Sequence, residues 1–254
     1  MKQWILFIIV IAVSYYPANG QNTPYQYKQV GVENKIGTQI PSSITLLDQH
    51  NQLISLTSLL KERPTIINFV YLNCPLLCHL LLDGLLDVAK KSQYQLHTDY
   101  QIVSISIDPN ETTENILRYQ SKYLNALNAS NGWYFLRGDA NTIQELTRAM
   151  GYQYQYIERT NDYAHPSLLY FYHQQIINYV EGVMFDLNAF EYSIMRIQPV
   201  QSIKEKIITF CYYFDPDKQT YSLYILNIMR LACLITVLIL AIFILKTYKK
   251  DTNK

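Results

Sequence analysis

Cys74 and Cys78 stand four residues apart in NCPLLC, at the end of the apolar run TIINFVYL. Pro75 biases Cys74 away from helical geometry and is itself favoured at the first position of a helix. The spacing therefore predicts a helix that starts here, with Cys74 at its cap and Cys78 one turn on. The two share a face, with Cβ atoms about 5–6 Å apart. Thiols at the positive end of a helix have a lowered pKa and favour the thiolate. Two adjacent soft thiolates suit Cu(I), Zn or reversible disulfide chemistry. A buried pair or a static disulfide is the bland alternative. Spacing favours metal, because an i,i+4 pair is near the limit for an unstrained disulfide, whose Cα separation is usually below ~6.8 Å.

His165 belongs to the same argument. It lies in AHPSLLYFY, directly before Pro166 and at the start of a predicted strand. There it could face the two thiols as a third ligand, although a lone His is more often a satisfied surface or core residue. His50, His79, His97 and His173 take the bland reading: hairpin turn, exposed helix face, loop and hairpin tip. His79 adjoins Cys78 but points about 100° round the helix. Of the other cysteines, Cys211 opens CYYFDPD and is a free thiol or a dimer contact. Cys233 lies within an apolar run and reads as a packing or lipid-facing residue.

The elements that must position these residues follow from pattern. Ile44–Leu47 and Leu53–Leu56 flank DQHN as a β-hairpin. After Pro64, TIINFVYL reads as a central strand covered on both faces, and LLCHLLLDGLLDVAKKSQYQL as a helix. QIVSISID (101–108) is a second buried strand. ETTENILRYQSKYL is a helix capped by Thr112 or Thr113. GWYFLRG (132–138) is a short strand, and DANTIQELTRAMG (139–151) a helix with an Asp cap and a closing Gly. SLLYFYHQQIINYVEG (167–182) gives two strands around His173-Gln174-Gln175, and residues 186–209 are expected to be helical. This alternation predicts a mixed α/β sheet with helices on both faces.

Composition bounds the function. The 254 residues carry 21 Lys+Arg against 20 Asp+Glu, a net charge of +1, which argues against a nucleic-acid partner. At 49% hydrophobic and 16% charged the chain is not disordered, and some apolar sequence is expected in lipid. No HExxH, Walker loop or GxSxG occurs, so hydrolase and nucleotide readings have no footing. The start, MKQWILFIIVIAVSYYPANGQ, reads as a signal peptide over 1–20. Near the other end, LACLITVLILAIFIL (231–245) reads as a transmembrane helix, placed at 224–246. The Lys-rich tail 247–254 would then be cytoplasmic and the body exported. Between them lie an extended lead-in (21–40), one domain (41–206) and a juxtamembrane segment (207–223).

Several blocks in order, INFVYLNCPLLCHLLLDGLLD, VSISIDPNETTENILRYQSKY, GWYFLRGD and YAHPSLLYF, resemble the SCO/SenC family of copper chaperones, over residues ~40–185. That resemblance implies a thioredoxin-like fold, with copper, as Cu(I) or Cu(II), held by Cys74, Cys78 and His165. It also implies delivery to the binuclear site of cytochrome c oxidase subunit II, with an upstream copper donor or thiol reductant. The expected setting is a bacterial-type inner membrane, with the soluble domain on the exported, periplasmic side. FCYYFDPDKQTY resembles the end of longer relatives. Two residues depart from the commoner pattern. His79 replaces the Pro after the second cysteine, and Pro166 follows the ligand His where Ser, Thr or Ala is usual. His165-Pro166 resembles the cis-Pro of thiol-disulfide oxidoreductases, so the alternative stands of a membrane-tethered reductase with Cys74 and Cys78 redox-active.

Overall fold

The structure is a computed structural model that describes residues 30–73, 77–199, 212–215, 220–223 and 225–251, and side chains over 30–73, 79–199 and 228–243. Residues 1–29, with the expected leader, lie outside the described residues, as do 200–211. At the centre is a five-stranded sheet. Strands β4 (Thr65–Val70), β5 (Gln101–Ser106) and β6 (Trp133–Leu136) run parallel. Strands β10 (Leu168–His173) and β11 (Gln175–Glu181) add antiparallel, giving the order β11-β10-β4-β5-β6. Every residue of β4 and β5 is buried, as continuous β-branched and aromatic runs require when both faces are covered.

Alternation along these strands builds two cores. Ile67, Phe69, Val103, Ile105 and Tyr170 face α1 (Leu56–Glu62) and α4 (Ala140–Met150) through Leu56, Leu59, Ile143 and Leu146. Ile66, Val70, Ile102, Trp133 and Phe171 face three helices: α2 (Leu77–Lys91), α3 (Thr113–Ala126) and α5 (Leu187–Ile197). Gly84 of α2 lies so close to the chain at Val183 that an added Cβ would stand 1.9 Å from its carbonyl oxygen. The mixed sheet with helices on both faces is as the pattern predicts. So are the cap at Thr112, accepting from the Asn115 N–H, and the Asp139 cap and left-handed Gly151 at the two ends of α4.

Several elements differ from the sequence reading. The hairpin of β2 (Thr45–Leu47) and β3 (Leu53–Ser55) ends before Leu56, where Ser55 caps α1. Helix α5 stops at Ile197; the rest of the expected helical stretch, 200–209, lies outside the described residues. Part of the lead-in is built into the fold. There β1 (Gly31–Val32) pairs with β7 (Tyr152–Gln153), and Gly37 and Thr38 exchange hydrogen bonds with Ile176. A further hairpin, β8 (Gln155–Ile157) with β9 (Asp162–Ala164), precedes β10. Within residues 207–223, β12 (Tyr212–Asp215) pairs with β13 (Thr220–Leu223).

The expected transmembrane helix over 224–246 is corrected. Helix α6 (Ile225–Asp251) occupies the region, but among the described residues no helix is long and apolar enough to cross a membrane. The uncharged run from Leu231 to Leu245 is fifteen residues, about 22 Å at about 1.5 Å per residue. A hydrocarbon core of about 30 Å asks for ~20. Arg230 bounds the run on one side and Lys246 on the other.

Candidate metal centre

Strand β4 hands the chain to Tyr71, Leu72 and Asn73, immediately before Cys74. Cys74, Pro75 and Leu76 lie outside the described residues, as does the side chain of Cys78. The backbone of Cys78 is in the first turn of α2, where N–H groups lack intrahelical partners. The chain up to Asn73 is pinned from α3. The Tyr119 hydroxyl donates to the Leu72 carbonyl at 2.9 Å. Asn115 Nδ2 donates to Asn73 Oδ1 at 3.0 Å and to Glu111 Oε1 at 2.9 Å. Glu111, only 3% exposed, also accepts from Thr112 N at 3.0 Å and Ser106 Oγ at 3.1 Å. Sequence reasoning missed this hold, for which ETTENI offered a capping pattern and nothing longer in range.

His165 reaches the same end of the sheet through its neighbours. Tyr163, two residues before it, packs on Tyr71 directly after β4. Tyr152, whose hydroxyl meets the imidazole, packs its ring on Phe69 of β4 at 4.5 Å. The imidazole is half-buried. Nδ1 lies 3.0 Å from the Tyr152 hydroxyl and 3.0 Å from the Pro166 carbonyl oxygen. Burial lowers its pKa from the ordinary histidine value, and the Pro166 carbonyl and the Asp162 charge partly offset this. The imidazole is thus favoured in the neutral form a metal ligand needs. No peptide bond among the described residues is cis, so the likeness of His165-Pro166 to a cis-Pro stops at the residue types.

Tyrosines wall this end of the molecule. Tyr163 lies edge-on to Tyr71 at 5.1 Å between ring centres and packs on Tyr154 and Tyr156. Burial, with the Asp108 charge next, pushes its hydroxyl up to about 12. Between Tyr71, Asn73, Asp108, Asn110 and the β8–β9 hairpin opens a cavity of about 600 Å³, beside the residue that precedes Cys74.

The remaining histidines stay apart from it. His50 sits in the β2–β3 turn, donating its N–H to Asp48. His173 ends β10 beside Gln174, whose φ is 61°, and His97 is in a loop. His79 is half-buried rather than on an exposed face, stacked on Tyr119 with ring centres 5.6 Å apart, so the ring is used in packing. Cys233 is exposed and unpaired on α6, and Cys211 lies outside the described residues. Among the described residues no three His, Cys, Asp or Glu side chains form a metal-holding group. The candidate set therefore joins one described ligand, His165, to two thiols beyond them. Two thiols and a neutral imidazole are a soft-to-borderline donor set that fits copper.

The model of the SCO1/SenC family matches residues 33–182. No curated protein matches the chain. Among solved structures, two proteins of Aquifex aeolicus VF5 are similar. One, provisionally described as an electron transfer protein, is 26% identical over 63% of this chain and 92% of its own, with a TM-score of 0.56. The other, provisionally an electron transport protein, is 25% identical over 63% and 96%, with a TM-score of 0.53. A SCO1/SenC family lipoprotein from Bacillus anthracis str. Ames shares the fold at 16% identity over 66% and 99%, with a TM-score of 0.55. The family match takes in β4, both cysteines of NCPLLC, α3, His165 and β10, over half of the chain, and the chain belongs to the SCO1/SenC family.

Proposed function

We propose that this protein is a copper chaperone that carries copper on Cys74, Cys78 and His165 for the assembly of cytochrome c oxidase. Subunit II, with its binuclear copper site, is the recipient. Family membership supports copper as the cargo. The observation that carries the reading is the imidazole of His165, held near the end of β4 that leads towards Cys74 by Tyr152 on Phe69 and Tyr163 on Tyr71, and favoured neutral by burial. A thiol-disulfide reductase needs no third ligand. A carrier that handles both oxidation states does, since two thiolates satisfy Cu(I) while Cu(II) is better held with an added nitrogen. The apolar leader supports work on the exported side of a membrane.

The test is copper binding by the full chain, purified under reducing conditions, beside its His165→Ala variant. Wild type is expected to hold one copper per chain, and the variant to lose Cu(II) affinity strongly and Cu(I) affinity less. Copper binding unchanged without His165, together with intact thiol exchange at Cys74 and Cys78, would instead support the reductase.

A further inference from the structure

We propose that the tyrosine-walled cavity around Asp108 is a docking pocket for an arginine side chain of a partner protein that comes to the cysteine pair. Asp108 is 8% exposed and lines the cavity of about 600 Å³ with Tyr71, Asn73, Asn110, Tyr156, Asn161 and Tyr163. Its Oδ1 accepts from the Asn110 N–H at 2.9 Å. No Lys, Arg or His among the described residues forms an ion pair with the carboxylate. An aspartate this buried is ordinarily paired with a cation; here the space beside it is the cavity. Tyr163 feels the charge, since Asp108, after burial, does most to hold its hydroxyl proton on.

The walls select the kind of cation. The rings of Tyr156 and Tyr163 have centres 5.1 Å apart and are tilted by 56°. Neither carries a cation of this chain; the cations that do rest on rings, Arg118 and Lys122, cover Tyr119 and Tyr123 on α3. Tyrosine faces attract organic cations and give a metal ion no ligand. Among the described residues Asp108 is the only acid on the wall, whereas Ca²⁺ or Mg²⁺ asks for about six oxygens or more. A guanidinium fits better than an ammonium. It is planar, stacks on aromatic rings, and fans its N–H donors over a carboxylate and neighbouring amides such as those of Asn73, Asn110 and Asn161. A cavity of about 600 Å³ far exceeds one guanidinium and leaves room for the stem and its flanking residues, as when the cation is carried on a protein chain. Asn73, in the wall, immediately precedes Cys74, so that chain would lie beside the cysteine pair. The pocket goes beyond the copper reading, and its binding is measurable in metal-free protein.

The experiment titrates the metal-free full chain, ¹³C-labelled on its tyrosine rings, with N-acetyl-arginine amide and follows the ring signals by NMR. N-acetyl-citrulline amide, of the same shape without the charge, is the companion probe. The arginine probe is expected to shift the Tyr156 and Tyr163 signals with millimolar affinity, and the citrulline probe to bind about tenfold more weakly or worse, the difference a charged hydrogen bond makes. Asp108→Asn keeps the shape and can still accept from the Asn110 N–H. It is expected to weaken the arginine probe ~10–100-fold, and Tyr163→Leu to weaken it about threefold or more. Equal binding of the two probes, or no shift with either, overturns the proposal. So does an Asp108→Asn variant that keeps its near-ultraviolet circular dichroism and its affinity for the arginine probe. Mg²⁺ that moves the same signals, at an ionic strength matched with NaCl, would assign the pocket to a metal ion and also overturns it. So would free arginine binding more than about tenfold tighter than the blocked form, since the pocket would then take a small molecule with its own head group. Should Asp108→Asn fail to fold, the contrast between arginine and citrulline on wild type decides alone.

Discussion

Replacing Glu111 by Ala should weaken the fold at the point where α3 holds the chain before Cys74. The side chain takes three hydrogen bonds: from Ser106 Oγ, Thr112 N and Asn115 Nδ2. Ser106 is fully buried, so its stranded hydroxyl costs about 1–3 kcal/mol. Thr112 and Asn115 lie nearer solvent, water replaces their partner, and each costs about 0.5 kcal/mol, the low end for a hydrogen bond. The sum is about 2–4 kcal/mol, or a fall in Tm of about 5–15 °C for a domain of this size. Urea and thermal unfolding followed by near-ultraviolet circular dichroism measure it, with an unchanged m-value as the check that only stability moved. Asn115 passes the hold to Asn73, so a double-mutant cycle of Glu111→Ala with Asn73→Ala should show a coupling of at least about 0.5 kcal/mol. A loss below about 1 kcal/mol would refute the reasoning, since burial of the carboxyl would then already cancel its three bonds.

Gly84→Ala should destabilise by about 3 kcal/mol, at the upper end for overpacking, because the new methyl would collide with the backbone oxygen of Val183; the urea midpoint measures it. Raising the pH should destabilise the protein from about pH 10. Burial raises the hydroxyls of Tyr163, to about 12, and of Tyr100 and Tyr170, so the unfolded chain releases these protons first. Stability present below pH 10 is therefore lost as pH climbs towards 12; urea midpoints at pH 9 and pH 11 test the sign, and no difference would contradict it. Cys78, in the first turn of α2, should be alkylated at neutral pH faster than Cys233, which is exposed but deep within α6. Mass spectrometry of timed samples ranks the two, and a faster Cys233 would mean that access outweighs the thiolate effect of the helix end.

The sheet's centre was legible because its residues allow only one reading. TIINFV and QIVSIS are dominated by Ile, Val and Phe, and both strands are buried throughout, Asn68 and Gln101 included. Caps carried the helices: Thr112, Asp139 and Gly151 each do locally what their residue type predicts. Helix α1 was lost because Leu53–Leu56 also fits a strand, and the cap at Ser55 depends on where the hairpin ends. The hairpin of β8 and β9 was missed because QYIERTNDYA has no Gly or Pro to mark its turn; Asn161, at φ 52°, takes the left-handed position instead. At the centre, the placement of His165 at the strand's start was readable. Its partner was not, since Tyr152 is one of 23 tyrosines and only the packed fold, with its ring on Phe69, brings its hydroxyl to the imidazole. The C-terminal helix was overread because a span over 224–246 has to take in Arg230, beyond which the uncharged run is only fifteen residues.

The antiparallel pairing of β10 on β4 also sets a clock. Cys74 and His165 are 91 residues apart in the chain (165 − 74), so at a synthesis rate of roughly 5–20 residues per second the histidine emerges about 5–20 s after the cysteine. Through that interval β4, β5 and β6 can already pair through local crossovers, while the side of β4 that awaits β10 remains an open edge. An open edge invites strands from other chains, and here it belongs to the strand that leads to the cysteine pair. The nascent protein therefore passes through a stage in which its central strand stands half-paired, and arrival of one late hairpin closes that edge.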